Sequence, residues 1–239
     1  MVTGRQDAAR KKGQGWMRRA SELLSAPQEL TGRLQAWDLH HGGHAHRVSW
    51  IVTRFGEGLG LPPQDLEYLK TAGYLHDIGK LNIPPEILLK PGKLSPSEWA
   101  VMETHTVMGL KLVEPLGLAS QVTQVILHHH ERWDGRGYPC GLSREEIPFP
   151  ARLLALADSL DAMTHPRPYR RAQSIQEALE EMERMAGSQF DPDLTWGFID
   201  MVSSWSEAPP YPVVFPKLGG VPSFTDYTLR DMGLGAAAG

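Results

Sequence analysis

Cysteine is almost absent from this chain. Cys140 stands alone among 239 residues, so no disulfide can close within the chain, and a reducing, cytoplasmic setting is expected. Long apolar runs are also missing. None approaches the roughly 18 residues that a membrane-spanning helix needs, so no membrane association is expected. The basic start (Arg5, Arg10, Lys11, Lys12) has no apolar stretch behind it, and a secretory signal is not expected. A large excess of one sign of charge is lacking: 24 Lys and Arg against 28 Asp and Glu leave a net charge of −4, which offers no electrostatic footprint for DNA. Strand-like alternation of useful length is missing too, which removes sheet folds and leaves an all-α reading.

What is present is histidine. There are ten, all but His165 lying between His40 and His130, and several adjoin Asp or Glu. Helical patterning runs from about residue 37 to 202. It is broken by short loops at Gly60-Leu61-Pro62-Pro63, Pro84-Pro85, Lys90-Pro91-Gly92 and Asp134 to Gly141. A helix start is marked at Ser95-Pro96-Ser97-Glu98, with a capping Ser, Pro at the first helical position and Glu three after the cap; the helix should continue past His105. Residues 1–15 read as a flexible basic arm and residues 16–204 as one domain with its core at about 30–200. Residues 205–239 read as a tail rich in proline (Pro209, Pro210, Pro212, Pro216, Pro222).

Apolar stripes at helical spacing each contain a polar intruder. They are His44 with Val48, Ile51 and Phe55; His76 and then Asp77 after Leu66, Leu69 and Gly73; and His105 with Val101, Met102 and Met108. His129, with His130 beside it, follows Val122, Val125 and Ile126; Asp158 follows Ala151, Leu154 and Ala155. A lone buried histidine is ordinarily a hydrogen-bonded core residue. Five helices that each turn a His or Asp inward are harder to explain that way, because a buried carboxylate is costly unless paired or bound to metal. If the stripes face one core, these donors converge. Nitrogen and oxygen ligands of this mix suit Fe, Mn or Zn without choosing among them.

His76-Asp77, followed by Gly79-Lys80, resembles the signature of HD metal-dependent phosphohydrolases. The segment His129-His130-Glu131-Arg132-Trp133-Asp134-Gly135-Arg136-Gly137-Tyr138-Pro139 is far more specific. It is similar to the hallmark of the HD-GYP family, which hydrolyses cyclic di-GMP. Asp38 to Val48, Leu75 to Lys93, His105 to Gly109, Ile147 to Ala162, Arg167-Pro168-Tyr169-Arg170 and Phe190-Asp191-Pro192 carry the resemblance across about residues 30–200. It implies an HD-type helical bundle around a bimetallic site, with residues 16–204 as an HD-GYP catalytic domain. Implied metal ligands are His44, His76, Asp77, His105, His129, His130 and Asp158, with Asp77 bridging two divalent ions, Fe or Mn ahead of Zn, Ni or Co. Asp77 and Lys80 are the implied catalytic residues, Lys80 approaching the scissile phosphate. Arg167, Arg170 and Tyr138 are implied substrate contacts, and Asp134, Gly135, Gly137, Tyr138 and Pro139 form a GYP loop bordering the site. The implied reaction is attack of a metal-activated hydroxide on cyclic di-GMP, giving linear pGpG, GMP or both.

One departure favours two metals over three: where some relatives place a Glu four residues before the first ligand His, this chain has His40. The receiver or sensor domain usual in the family is not among these residues. Partners expected from the resemblance are the cyclic dinucleotide, a signalling protein meeting the GYP loop, and a second copy in a homodimer. Rival readings are an HD phosphohydrolase on another nucleotide, such as cyclic GMP-AMP, and a non-catalytic cyclic di-GMP sensor or partner-binding module. A purely structural helical domain would hold no metal. His41, His128 and His165 read as solvated or supporting residues, and Cys140 as a free thiol without a catalytic task. Asp161 is either an orienting group or a helix-surface charge, and Met163 fills core.

Overall fold

The computed structural model describes residues 43–166 and 171–205. The basic arm, His40, His41, Arg167, Arg170 and the proline-rich segment from residue 206 lie outside the described residues. The described residues are helical, with no strand and one isolated bridge between Ala186 and Phe190. In chain order the helices are α1 (His44–Gly58), α2 (Pro63–Leu75), α3 (Pro85–Leu88), α4 (Pro96–Glu103), α5 (His105–Val113), α6 (Ser120–His128), α7 (Phe149–Thr164), α8 (Ile175–Arg184) and α9 (Pro192–Ser203). Short 3-10 turns at Ile78–Asn82, Glu114–Leu116 and Arg144–Glu146 join them. No helix among the described residues is long and apolar enough to cross a membrane.

Helix α7 is the axis of the bundle. Leu153, Leu154, Leu156, Ala157 and Leu160 are all buried, so it is apolar around most of its circumference and is covered by neighbours. Helices α1, α2, α6, α8 and α9 pack against it. Val48, Ile51, Val52 and Phe55 of α1 meet Leu69 and Ala72 of α2, and Phe55 stacks edge-on to Phe198 of α9 with centroids 5.0 Å apart. Each such fully buried side chain contributes about 1.5–3 kcal/mol. Trp205, just beyond α9, packs against Trp50.

The expected start at Ser95 is present as a reciprocal capping box: Ser95 Oγ accepts from Glu98 N at 3.3 Å, and Glu98 Oε2 accepts from Ser95 N at 2.7 Å. The expected unbroken run past His105 is not. The helix stops at Glu103, turns at Thr104, and restarts at His105 as α5. The third apolar stripe is correspondingly weak, with Val101, Met102 and Met108 only partly buried.

The 3-10 turn that follows His76 and Asp77 lies directly on α5. Gly79 makes this possible: a Cβ at that position would overlap the carbonyl of His105 and the amide of Gly109. Backbone thus meets backbone where a side chain would hold the two elements apart, and Asp77 is carried up to His105. Gly79→Ala should therefore cost about 3 kcal/mol, at the upper end for overpacking. Urea unfolding of the metal-free protein measures this; a loss below about 1 kcal/mol would show that the contact yields easily.

Candidate metal centre

The seven side chains named as ligands from sequence come from five different places in the chain and lie together around Asp77. Its two carboxylate oxygens face different sets of imidazoles. Oδ2 lies 3.4 Å from His76 Nε2 and 3.8 Å from His44 Nε2. Oδ1 lies 3.4 Å from His105 Nε2 and 3.8 Å from His129 Nε2. Asp158 Oδ1 completes the first side at 3.3 Å from His44 Nε2 and 4.0 Å from His76 Nε2. His130 stacks beside His129 and His105 on the second side, with centroids 4.1 and 5.0 Å away. Donor atoms of Asp77, His105, His129 and His130 lie within 4.8 Å of one another, as do those of His44, His76 and Asp77.

The orientation of each ring has a local cause. The last carbonyls of a helix lack an intrahelical partner. His76 Nδ1 donates to Gly73 O at 2.8 Å, His105 Nδ1 to Met102 O at 2.7 Å, and His129 Nδ1 to Ile126 O at 3.0 Å. Each acceptor is three residues earlier, at the end of α2, α4 or α6. The break at Thr104 is thus what frees the Met102 carbonyl for His105. A carbonyl can only accept, so in the neutral ring the proton sits on Nδ1, and Nε2 presents a lone pair inward. His44 follows the same logic with a carboxylate: its Nδ1 donates to Asp161 Oδ2 at 2.7 Å.

Two buried atoms at the centre, His76 Nε2 and Asp77 Oδ1, have no hydrogen-bond partner. Orphaned atoms of this kind are rare in folded proteins. Lone pairs turned inward, ionised carboxylates and unsatisfied acceptors are what a divalent cation requires, and the donor set fits one.

Charge state agrees with that chemistry. Burial pushes the His105 imidazole down to about 3, and burial likewise lowers His129 and His130, so these rings are neutral near pH 7. Burial disfavours a charged Asp77, but the Lys80 ammonium beside it holds its carboxyl well below the usual range. Lys80 Nζ lies 2.6 Å from Asp77 Oδ2, with 23 % of the Lys80 side chain still exposed. His44 differs from the other rings. Burial would lower it, yet the Asp158 and Asp161 carboxylates outweigh burial and raise it to about 9.

The structure settles the supporting residues that the sequence left open, and of the two readings of Asp161 the orienting one holds. Asp161 is 1 % exposed, so it is not a surface charge. It accepts from Arg47 Nε at 2.5 Å and Nη2 at 3.0 Å, and His165 Nδ1 lies 3.1 Å from its Oδ1. This fork holds the carboxylate that orients His44. Arg47 carried no sequence signal beyond standing one turn after His44. His128, read as solvated or supporting, is 7 % exposed and therefore not solvated. Glu131 is buried and pins the GYP loop, accepting from Cys140 N at 2.7 Å and Leu142 N at 3.0 Å. In that loop a Cβ on Gly137 would overlap the backbone of Glu131 and Arg132, and Gly135 takes a φ of 75°. Asp134 accepts from both Arg132 and the Arg136 amide. Tyr138 stacks on His130 at 4.9 Å, and its phenol is pushed upward chiefly by burial, so it stays protonated; Pro139 after it is exposed.

Fold and donor set together define an all-helical domain whose buried imidazole–carboxylate cluster suits divalent cations. A family model described as "HD domain" matches residues 34–194. A cyclic di-GMP phosphodiesterase of Thermotoga maritima is 38% identical over 166 residues, covering 69% of this chain and 45% of that protein. A 3'3'-cGAMP-specific phosphodiesterase of Vibrio cholerae is 35% identical over 167 residues, covering 69% of this chain and 32% of the relative. Among solved structures, an HDG"Y"P protein from Bdellovibrio bacteriovorus shares the fold with a TM-score of 0.57 at 21% identity, over 68% of this chain and 52% of that one. The chain belongs to the HD-domain family, in its HD-GYP branch. It spans less than half the length of the curated relatives it matches.

Two expectations follow for metal binding. Asp77→Ala removes the one group shared by both halves of the cluster, so divalent-cation affinity should fall by at least about 10²-fold, measured by elemental analysis after dialysis. A ligand His must be neutral, and His44 in the metal-free protein holds its proton up to about pH 9. Cation uptake at pH 7 should therefore release about one proton from His44, and affinity should rise with pH until about 9. Calorimetric titration in buffers of different ionisation enthalpy counts the protons; none released would contradict this charge state.

Proposed function

We propose that this domain is a metal-dependent phosphodiesterase that hydrolyses cyclic di-GMP. The observation that carries the reading is the placement of Asp77: both its oxygens face imidazole Nε2 atoms, and a lysine ammonium stands against it at the partly exposed edge of the cluster. One side would hold a cation with His44, His76, Asp77 and Asp158, the other with Asp77, His105, His129 and His130. That makes two ions, with Fe or Mn preferred. Divalent cations held there would supply Lewis acidity and a water of lowered pKa.

The chain's own residues have separate tasks in this reading. Asp77 fixes the spacing of the two sides. Lys80 offers a point charge to a phosphoryl oxygen and stabilises the charge that grows there in the transition state. Tyr138, stacked on His130 and kept protonated by burial, borders the mouth and can donate to or stack on the substrate. Arg167 and Arg170, outside the described residues, are proposed to grip the phosphates. Water is added across one P–O3′ bond to give linear pGpG, and a second hydrolysis gives two GMP.

Cyclic di-GMP is preferred because the Thermotoga relative carries that name at 38% identity. Cyclic GMP-AMP is the second reading, favoured by the name of the Vibrio relative. Incubating the metal-loaded protein with each dinucleotide and separating the products by chromatography decides between them. Linear or mononucleotide product from cyclic di-GMP is expected; turnover of cyclic GMP-AMP alone would move the assignment to that substrate. Lys80→Ala should lower kcat by about 10²-fold with metal content unchanged. Metal lost in parallel would show that Lys80 supports the cluster rather than the phosphate.

A further inference from the structure

Glu131 and two neighbours form a second cluster that the reaction does not use. His128 closes α6, and its side chain is 8 % exposed, with Nδ1 buried and lacking any hydrogen-bond partner. Glu131 Oε1 is 3.6 Å from that nitrogen, too far for a hydrogen bond. The thiol of Cys140 is free and exposed. Donor atoms of these three residues all lie within 4.8 Å of one another. The two carboxylate oxygens of Glu131 each accept one backbone N–H, from Cys140 and from Leu142, and each keeps a further lone pair.

We propose that His128, Glu131 and Cys140 form a separate binding site for a borderline-soft divalent cation, zinc being the best match. One nitrogen, one oxygen and one sulfur donor are a zinc-type set, with water at the fourth corner. The unpartnered Nδ1, 3.6 Å from Glu131 Oε1, supplies a buried nitrogen donor. Solvent reaches the site through the exposed Cys140 side. On binding, the thiol gives its proton to solvent and the sulfur–metal bond replaces the S–H bond. Such an ion would tie the end of α6 to the loop two residues beyond Tyr138. It would therefore fix the loop that lays Tyr138 on His130, while His129, next in sequence to His128, faces the main centre.

The single cysteine makes the test specific. Cobalt(II) titrated into the full chain gives a near-ultraviolet thiolate-to-cobalt charge-transfer band only if Cys140 is a ligand, because imidazoles and carboxylates at the main centre give no such band. The expected result is a saturable band that is lost in Cys140→Ser, a change at an exposed position. In His128→Ala, confirmed as helical by circular dichroism, the band should need at least about tenfold more cobalt. No band in the native chain would overturn the proposal, as would a band that keeps its cobalt affinity in His128→Ala. Should His128→Ala not fold, equimolar zinc displacing the cobalt band from the native chain supports the site, and a band that survives a large excess of zinc overturns it.

Discussion

An ionised carboxylate buried among imidazoles is the constraint around which this bundle is arranged. Asp77 is 3 % exposed, and a bare charge at that depth would cost several kcal/mol. The fold meets the cost from three directions. Lys80 sits one turn away in the 3-10 segment that Asp77 precedes, the Nε2 atoms of four histidines surround the oxygens, and the donor set accepts cations. The rest of the architecture serves this placement: α7 provides the apolar axis and Asp158, Gly79 lets the turn press onto α5, and the ends of α2, α4 and α6 aim the rings.

Much of this was legible in the residues. His44, His76, His105, His129 and Asp158 interrupt apolar stripes at helical spacing, and the structure brings all of them, with Asp77 and His130, to one place. That succeeds because a helix fixes which residues share a face, so a polar residue on a buried face must point at something. Other features were not legible because they depend on partners far away in the chain. Arg47 and Asp161 are 114 residues apart, and neither sits in a pattern that names the other. Glu131 bonds to loop amides whose position exists only once the GYP turn has formed. The break at Thr104 was missed because the side chains on either side have ordinary helical character; it shows only in the fold, where the Met102 carbonyl takes the His105 ring.

The GYP segment shows the same division. Its glycines announced a tight loop, and two of them prove to be needed, one by steric contact with the backbone and one by its φ. That Glu131 is the anchor, and that Asp134 braces the turn through Arg132 and Arg136, could be learned only from the folded loop. Motif residues thus divide into those facing the centre and those that hold the motif's own shape.

Three helices end at this centre, and a helix terminus carries a field as well as loose carbonyls. The C-terminal ends of α2 and α6 each bear about half a negative charge, worth about 0.3–1 kcal/mol apiece to a nearby cation, whereas the end of α4 is met by the positive N-terminal end of α5 at His105. Their field adds to that of Asp77 and Asp158. In the metal-free protein the protonated His44 and Lys80 balance the charges of Asp77 and Asp158, so the helix ends tip an otherwise matched set of charges towards cations. The direction in which these helices run therefore biases the centre toward holding cations rather than bare anions.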